Sequence, residues 1–264
     1  MPPPGDNRNS LASNEEWKAW GETDPLYGVA TTPGRAKTAA NAWTDETFYE
    51  VGANDWELFH RKWAQYGFNP GTCVEIGCGA GRMTVHLAKT FAHVDGVDVS
   101  PGMVEYARPR MPPNVALHVT SGLDIPLDSD SADAVFSTHV MQHLANTSAA
   151  ASYLREMHRV LHPGGTVMIH LPVIAWPWGS LLGLHKLTHR LKESLDRLRA
   201  RFLRMKFRRG WLAEPPMQIV WYELGWLYWT VHHAGFEDIE IRILLGGSAM
   251  ALQHPFLFAR KKSA

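Results

Sequence analysis

Short apolar runs bounded by polar turns alternate with amphipathic stretches along most of this chain. The runs at 73–76, 93–97, 116–120, 134–137 and 166–171 have strand length. Between them, 82–90, 101–108 and 149–161 carry helical spacing. Upstream, 46–66 places Phe48, Val51, Trp56, Phe59 and Trp63 near helical spacing, which predicts a helix before the first strand. Pro163-Gly164-Gly165 stops one helix and turns the chain into a strand. Near the C-terminus, 222–234 reads as a helix closed by Gly235. Two runs at 239–245 and 255–259 follow, close enough to pair antiparallel. Strands alternating with helices predict a parallel sheet covered by helices on both faces.

One segment exceeds this scheme. Residues 172–216 are too many for a simple connection. Within them Leu184, Leu187, Leu191, Leu195, Leu198, Phe202 and Met205 recur every three or four residues, the stripe of an amphipathic helix. Its other face is basic, with ten Lys or Arg between Lys186 and Arg209 against Glu193 and Asp196. The stripe reads first as a face packed on the domain or on a second subunit, which would make a homodimer. A membrane surface or a polyanion is the second reading.

Charge and composition narrow the picture little. The 264 residues suffice for one large domain, and the net charge of zero gives no global attraction for nucleic acid. The two cysteines, Cys73 and Cys78, sit on a strand and its turn and read as core thiols in a reducing compartment. Residues 1–13 are polar and Pro-rich and are expected to be a loose tail. They lack the basic and apolar regions of a secretory signal, and no uncharged apolar run reaches membrane-spanning length, so a cytoplasmic protein without a transmembrane segment is expected. Eleven Trp and fourteen His are many, and they suggest a pocket built from aromatic and imidazole groups.

The chemistry-bearing stretch starts at Glu75, which opens E-I-G-C-G-A-G-R-M-T after the first strand. Gly77, Gly79 and Gly81 let the backbone approach a ligand closely, and the next helix directs free N–H groups at it. Twenty-one residues after Gly77, Asp98 ends the second strand, the spacing at which a carboxylate meets ribose hydroxyls. Arg82 stands where the dinucleotide fingerprint wants Gly or Ala, so the pattern is not that of a nicotinamide site. The segment resembles the first motif of class I S-adenosylmethionine (SAM) methyltransferases. The likeness covers 70–172 by motif and the C-terminal part by architecture.

That resemblance implies an α/β, Rossmann-like class I methyltransferase sheet, mostly parallel with an antiparallel last strand, carrying N-terminal helices and a helical lid inserted after the fifth strand. Residues 14–264 would be a single methyltransferase domain, with a cap at 14–70 and the lid at 172–216. It implies SAM as cofactor, with Glu75, Gly77, Gly79 and Gly81 framing the methionine end and Asp98 the ribose. Val99, Met103, Gly122, Leu123 and Asp124 would lie about the adenine, although Leu123 stands where the family usually has an acid. Thr138 would also touch the cofactor. Residues 24–28 are a lid loop or a packed surface loop, and Tyr27 is expected at the ligand in the first case. Trp176 and Trp178 would wall the acceptor.

Methyl transfer to a hydroxyl needs a base, and His143, with His139 in reserve, stands after the fourth strand. Four residues apart on a helical turn, they would share a face. His143 is equally readable as a packing, hydrogen-bonded histidine. The pairs His158/His162, His185/His189 and His232/His233 lack the companion ligands of a zinc site. A Mg²⁺ held by carboxylates and sugar hydroxyls stays compatible, because such ions leave weak sequence traces. The expected reaction is O-methylation of a small molecule, with a sugar or polysaccharide such as a methylmannoside favoured. A small-molecule N-methyltransferase and a non-catalytic SAM-binding partner protein are the alternatives.

Overall fold

The computed structural model describes residues 7–122, 124–174, 194–195, 198–199, 201–203, 205–206, 219–245 and 253–263. Three helices come first, α1 (Asn7–Thr23), α2 (Pro25–Val29) and α3 (Asp45–Tyr66). The sheet follows as β1 (Thr72–Ile76), β2 (His93–Asp98), β3 (Val115–Val119), β4 (Ala132–Ser137) and β5 (Leu161–His170). Helices α4 (Thr84–Leu87), α5 (Pro101–Ala107) and α6 (Thr147–Val160) connect them. The short strands β6 (Val173–Ile174) and β7 (Tyr222–Glu223) pair with each other, and α7 (Leu224–His233), β8 (Phe236–Leu245) and β9 (Gln253–Lys261) complete the order.

The seven-stranded sheet has the order β3-β2-β1-β4-β5-β9-β8. Pairs from β3 to β5 are parallel, whereas β9 lies antiparallel to both β5 and β8. The expected mixed sheet with an antiparallel end is therefore present. The chain runs outward in one direction from β1 to β3, then restarts on the other side of β1 with β4. This reversal opens a crevice at the carboxyl ends of β1 and β4, the place where open α/β sheets take ligands.

The pleat sorts the core residues. Val74, Ile76, Val135, Val167, Ile169, Leu257 and Ala259 face one way and pack with Leu154, Met157 and Val160 of α6 and Leu227 and Val231 of α7. Their neighbours Cys73, Ala134, Phe136, Met168, Phe256 and Phe258 face the other way and pack with Trp56, Phe59 and Trp63 of α3. The period-two alternation is what a strand buried on both faces must show. Cys73 and Cys78 are both buried and free.

Several boundaries differ from the sequence reading. Helix α1 begins at Asn7, inside the stretch expected to be loose. The helix expected over 82–90 is regular only at Thr84–Leu87, because the glycine turn precedes it and no side chain caps it. Residues 222–223 form a strand and not the first turn of a helix; Glu223 instead caps α7, its carboxylate accepting from the N–H groups of Gly225 and Trp226. Residues 24–28 are not a loop either. Asp24 caps α2 by accepting from the Tyr27 N–H. The segment 172–216, expected to be a lid, lies mostly outside the described residues; its first residues enter β6, which pairs with β7 at 222–223.

Trp63 is fully buried, stacks on Phe136 at 5.8 Å, and donates from Nε1 to the Thr166 hydroxyl at 3.2 Å. It joins α3 to the sheet. Trp63→Ala is expected to lower the unfolding free energy by about 3–5 kcal/mol, read from the urea midpoint and slope.

Candidate functional site

At the crevice lies a cavity of about 770 Å³, within the range of small-molecule sites. Its floor is the turn after β1. Gly77 has φ +73, and a Cβ there would sit 2.1 Å from Val140 Cγ2. Gly79 has φ +52, and its Cβ would sit 2.6 Å from Val29 Cγ2, so the turn and the cap leave room only for glycine. Asp98 holds this turn. Its carboxylate accepts from the Gly79 N–H and the Ser100 N–H, each at 2.8 Å. Burial pushes the Asp98 pKa up, and the N–H groups of Ser100, Gly79 and Val99 oppose that shift.

Glu75 is buried on the same wall and accepts from the Thr84 hydroxyl at 2.6 Å. Burial raises its pKa to about 7, against the pull of Thr84 and Arg82. Arg82 is buried too and pairs through Nη1 with Asp55 at 2.5 Å. Its Nε has no hydrogen-bond partner among the described residues. The residue that breaks the dinucleotide pattern is thus a buried cation on the cavity wall.

The cap closes the cavity from above. Asn14 of α1 donates from Nδ2 to the Ser121 carbonyl at 2.7 Å, which lays α1 over the end of β3. Tyr49 of α3 donates to the Ala80 carbonyl at 2.9 Å. Arg35 lies over the Trp43 ring at 4.7 Å, and both reach the wall. Arg35, Asn14 and Trp17 were not singled out by sequence. Only the density of tryptophans before the first strand hinted that this region covers something.

Imidazoles gather on the same cavity. His139 follows β4 with φ +59, a conformation that costs a non-glycine residue about 1–3 kcal/mol. Its ring lies 4.4 Å from that of His170, at the end of β5, and 5.8 Å from that of His254, on β9. His170 and His254 are 5.4 Å apart. Burial holds His139 well below the ordinary histidine pKa and lowers His170 to about 3, so both are neutral. His170 and His254 are distant in sequence from each other and from any motif. Only the β5–β9 pairing brings them together.

His143 lines the same cavity, near enough for its charge to act on His139 and His170. It ends a 3-10 turn, Met141–His143, and its ring meets Trp17 edge-on at 4.9 Å. Its Nε2 lies 2.9 Å from the side-chain nitrogen of Gln142, which as placed can only donate, so this lone pair is engaged. The expectation that His139 and His143 share a helical face fails, because the left-handed residue at 139 breaks the turn between them.

The remaining expected site residues divide. Val99, Met103 and Thr138 line the cavity with Glu75, Gly77, Gly79 and Asp98. Gly81 does not; a Cβ there would strike Met111. Gly122 and Asp124 are also off the wall, Asp124 being exposed and accepting from the Ser121 hydroxyl at 2.7 Å. Tyr27 packs its ring on Trp20 at 5.6 Å and does not line the cavity. Leu123, Trp176 and Trp178 lie outside the described residues. Among the described residues no group of three or more His, Cys, Asp or Glu could hold a metal ion, so the magnesium expectation finds no support there. No described helix is long and apolar enough to cross a membrane.

Comparison with known proteins adds a family. Residues 74–169 match the family described as methyltransferase domain. Demethylmenaquinone methyltransferase of Symbiobacterium thermophilum is 33% identical over 125 residues, 44% of this chain and 49% of that protein. Malonyl-[acyl-carrier protein] O-methyltransferase of Hahella chejuensis is 33% identical over 102 residues, 38% of this chain and 36% of its own. The matched part thus spans half or less of these relatives. Among solved structures, the [4+2]-cyclase SpnF superposes with a TM-score of 0.59 at 16% identity, over 96% of this chain and 97% of that one, which shows a shared fold.

The raised Glu75 pKa carries a consequence for stability. The folded state keeps a proton on Glu75 that the unfolded chain releases from its ordinary 4.5 upward. Stability should therefore fall as pH rises from 4.5 to about 7. Glu75→Gln should flatten that part of the profile, checked by urea midpoints at the two ends of the window.

Proposed function

With residues 74–169 forming a class I methyltransferase domain, we propose that this protein transfers the methyl group of SAM to an oxygen of a small molecule. The observation that carries this reading is one shared cavity. The glycine turn and Asp98 line it together with a group of imidazoles. Gly77, Gly79 and Glu75 would hold the methionine portion, Asp98 the ribose, and Val99 and Met103 the adenine. Both Asp98 oxygens already accept one backbone N–H and keep lone pairs for ribose hydroxyls. The cofactor supplies an electrophilic sulfonium methyl; the chain positions the acceptor and removes its proton.

His143 is the proposed base, with His139 as the second candidate. His143 would have to give up the Gln142 contact to take a proton, a local side-chain rotation. A sugar hydroxyl remains one acceptor of this class, resting on the family resemblance. The wall speaks against a cationic amine: among the described residues its only acids are Glu75 and Asp98, both on the cofactor side. The SpnF neighbour is named a cyclase, so the fold alone does not settle the reaction.

Calorimetry should show SAM binding that weakens about tenfold or more in Asp98→Ala and is abolished in Gly79→Val. Loss in neither variant would remove the cofactor reading. Transfer of label from methyl-labelled SAM to a panel of alcohols, phenols, acids and amines should mark oxygen acceptors. With the best of them, His143→Ala should lower kcat by about 10²–10⁴-fold, leave SAM affinity within twofold, and remove the rising limb of the pH profile near neutrality. Full turnover with an unchanged profile would move the base elsewhere.

A further inference from the structure

Among the described residues, the cavity lining carries four imidazoles and two guanidinium groups against two carboxyls. The imidazoles are those of His139, His143, His170 and His254, and the guanidinium groups those of Arg82 and Arg35. Glu75 and Asp98 belong to the glycine turn and are bound there to Thr84, Gly79 and Ser100. Asp55 pairs with Nη1 of the Arg82 guanidinium. Two buried polar atoms here have no partner among the described residues, Nε of Arg82 and Nδ1 of His170. An unmet buried polar group costs about 1–3 kcal/mol, so two in one pocket need an explanation. Arg82 is also near enough for its charge to act on His139.

We propose that this pocket binds the acceptor's reacting oxygen as an oxyanion, so that the acceptor is a phenol, an enol or a carboxylic acid. The inference rests on the methyltransferase reading above and narrows its acceptor class. Burial lowers the His139 and His170 pKa values, their imidazole neighbours lower them further, and Arg82 adds to this at His139. An anionic oxygen reverses that balance. It offers an acceptor to Arg82 Nε and to imidazole N–H groups, and its charge offsets the guanidinium. An aliphatic alcohol brings no charge and leaves Arg82 Nε without an anion. In the reaction the acceptor first loses its proton, to an imidazole or to water. The oxygen lone pair then forms the O–CH₃ bond as the S–CH₃ bond breaks, and its electron pair stays on sulfur, giving a neutral thioether.

The test needs no knowledge of the natural acceptor. The protein is first loaded with S-adenosylhomocysteine, with affinity measured by calorimetry. Then 4-nitrophenol, whose ionised form absorbs at longer wavelength, and benzoate are added across a pH series. The bound nitrophenol should be the phenolate, with an acid constant at least about tenfold stronger than in water. His170→Gln and His254→Gln should each weaken phenolate and benzoate binding by about tenfold. Both should keep S-adenosylhomocysteine affinity within twofold, which reports an intact fold. His93→Gln, on β2 and off the cavity wall, should change neither. Nitrophenol bound in its neutral form, binding indifferent to both substitutions, or no binding of either probe at millimolar concentration would overturn the proposal. Failure of S-adenosylhomocysteine itself to bind would instead strike the cofactor reading.

Discussion

The Asp98 carboxylate, buried between two backbone N–H groups, is the interaction on which the rest of the site depends. It joins the turn after β1 to the start of α5. Burying a carboxylate is unfavourable unless it is well hydrogen-bonded, and here the partners are donors of the two loops that must be fixed relative to each other. Gly79 can meet Asp98 only in a left-handed conformation with no side chain. The glycines and the acid therefore form one constraint. It sets the position of the cavity floor, and β1 and β4 place that floor at the reversal of strand order.

The cap is held to this floor by side chains that reach across long sequence distances. Asn14 binds the Ser121 carbonyl, and Tyr49 binds the Ala80 carbonyl beside the glycine turn. Asp45 accepts from Tyr106 and from Arg110 Nε, tying the first turn of α3 to α5. Each contact is modest alone, about 0.5–1.5 kcal/mol for an ordinary hydrogen bond. Together they align the N-terminal helices over the turn, so that Val29, Arg35 and Trp43 become wall residues.

The imidazole group shows a different economy. His139 accepts an unfavourable backbone conformation, and His170 is buried with an unmet nitrogen. Neither feature helps the fold. Conflicts between local preference and the surrounding structure concentrate at functional sites, and both of these line the cavity.

The sequence by itself determined the sheet, the glycine turn, the acid at the end of β2 and the antiparallel close, because each rests on local signals: period-two burial, glycine spacing, a turn before a helix. Glu75, Gly77, Gly79, Asp98, Val99, Met103 and Thr138, all singled out by motif, line one cavity, since strand ends and the loops after them converge at the switch point. Local spacing misled where the backbone left its regular path. The four-residue spacing of His139 and His143 suggested one helical face, and the left-handed residue at 139 sent the two rings to different neighbours. Tyr27 and Asp124 had motif-like positions, but cap packing and a local turn took their side chains off the wall. Only the tertiary structure decided that His170 and His254 join His139, and that Asn14 and Arg35 roof the cavity. Those contacts arise from the antiparallel register of β5 with β9 and from the folding back of α1, neither of which leaves a period or a motif in the chain.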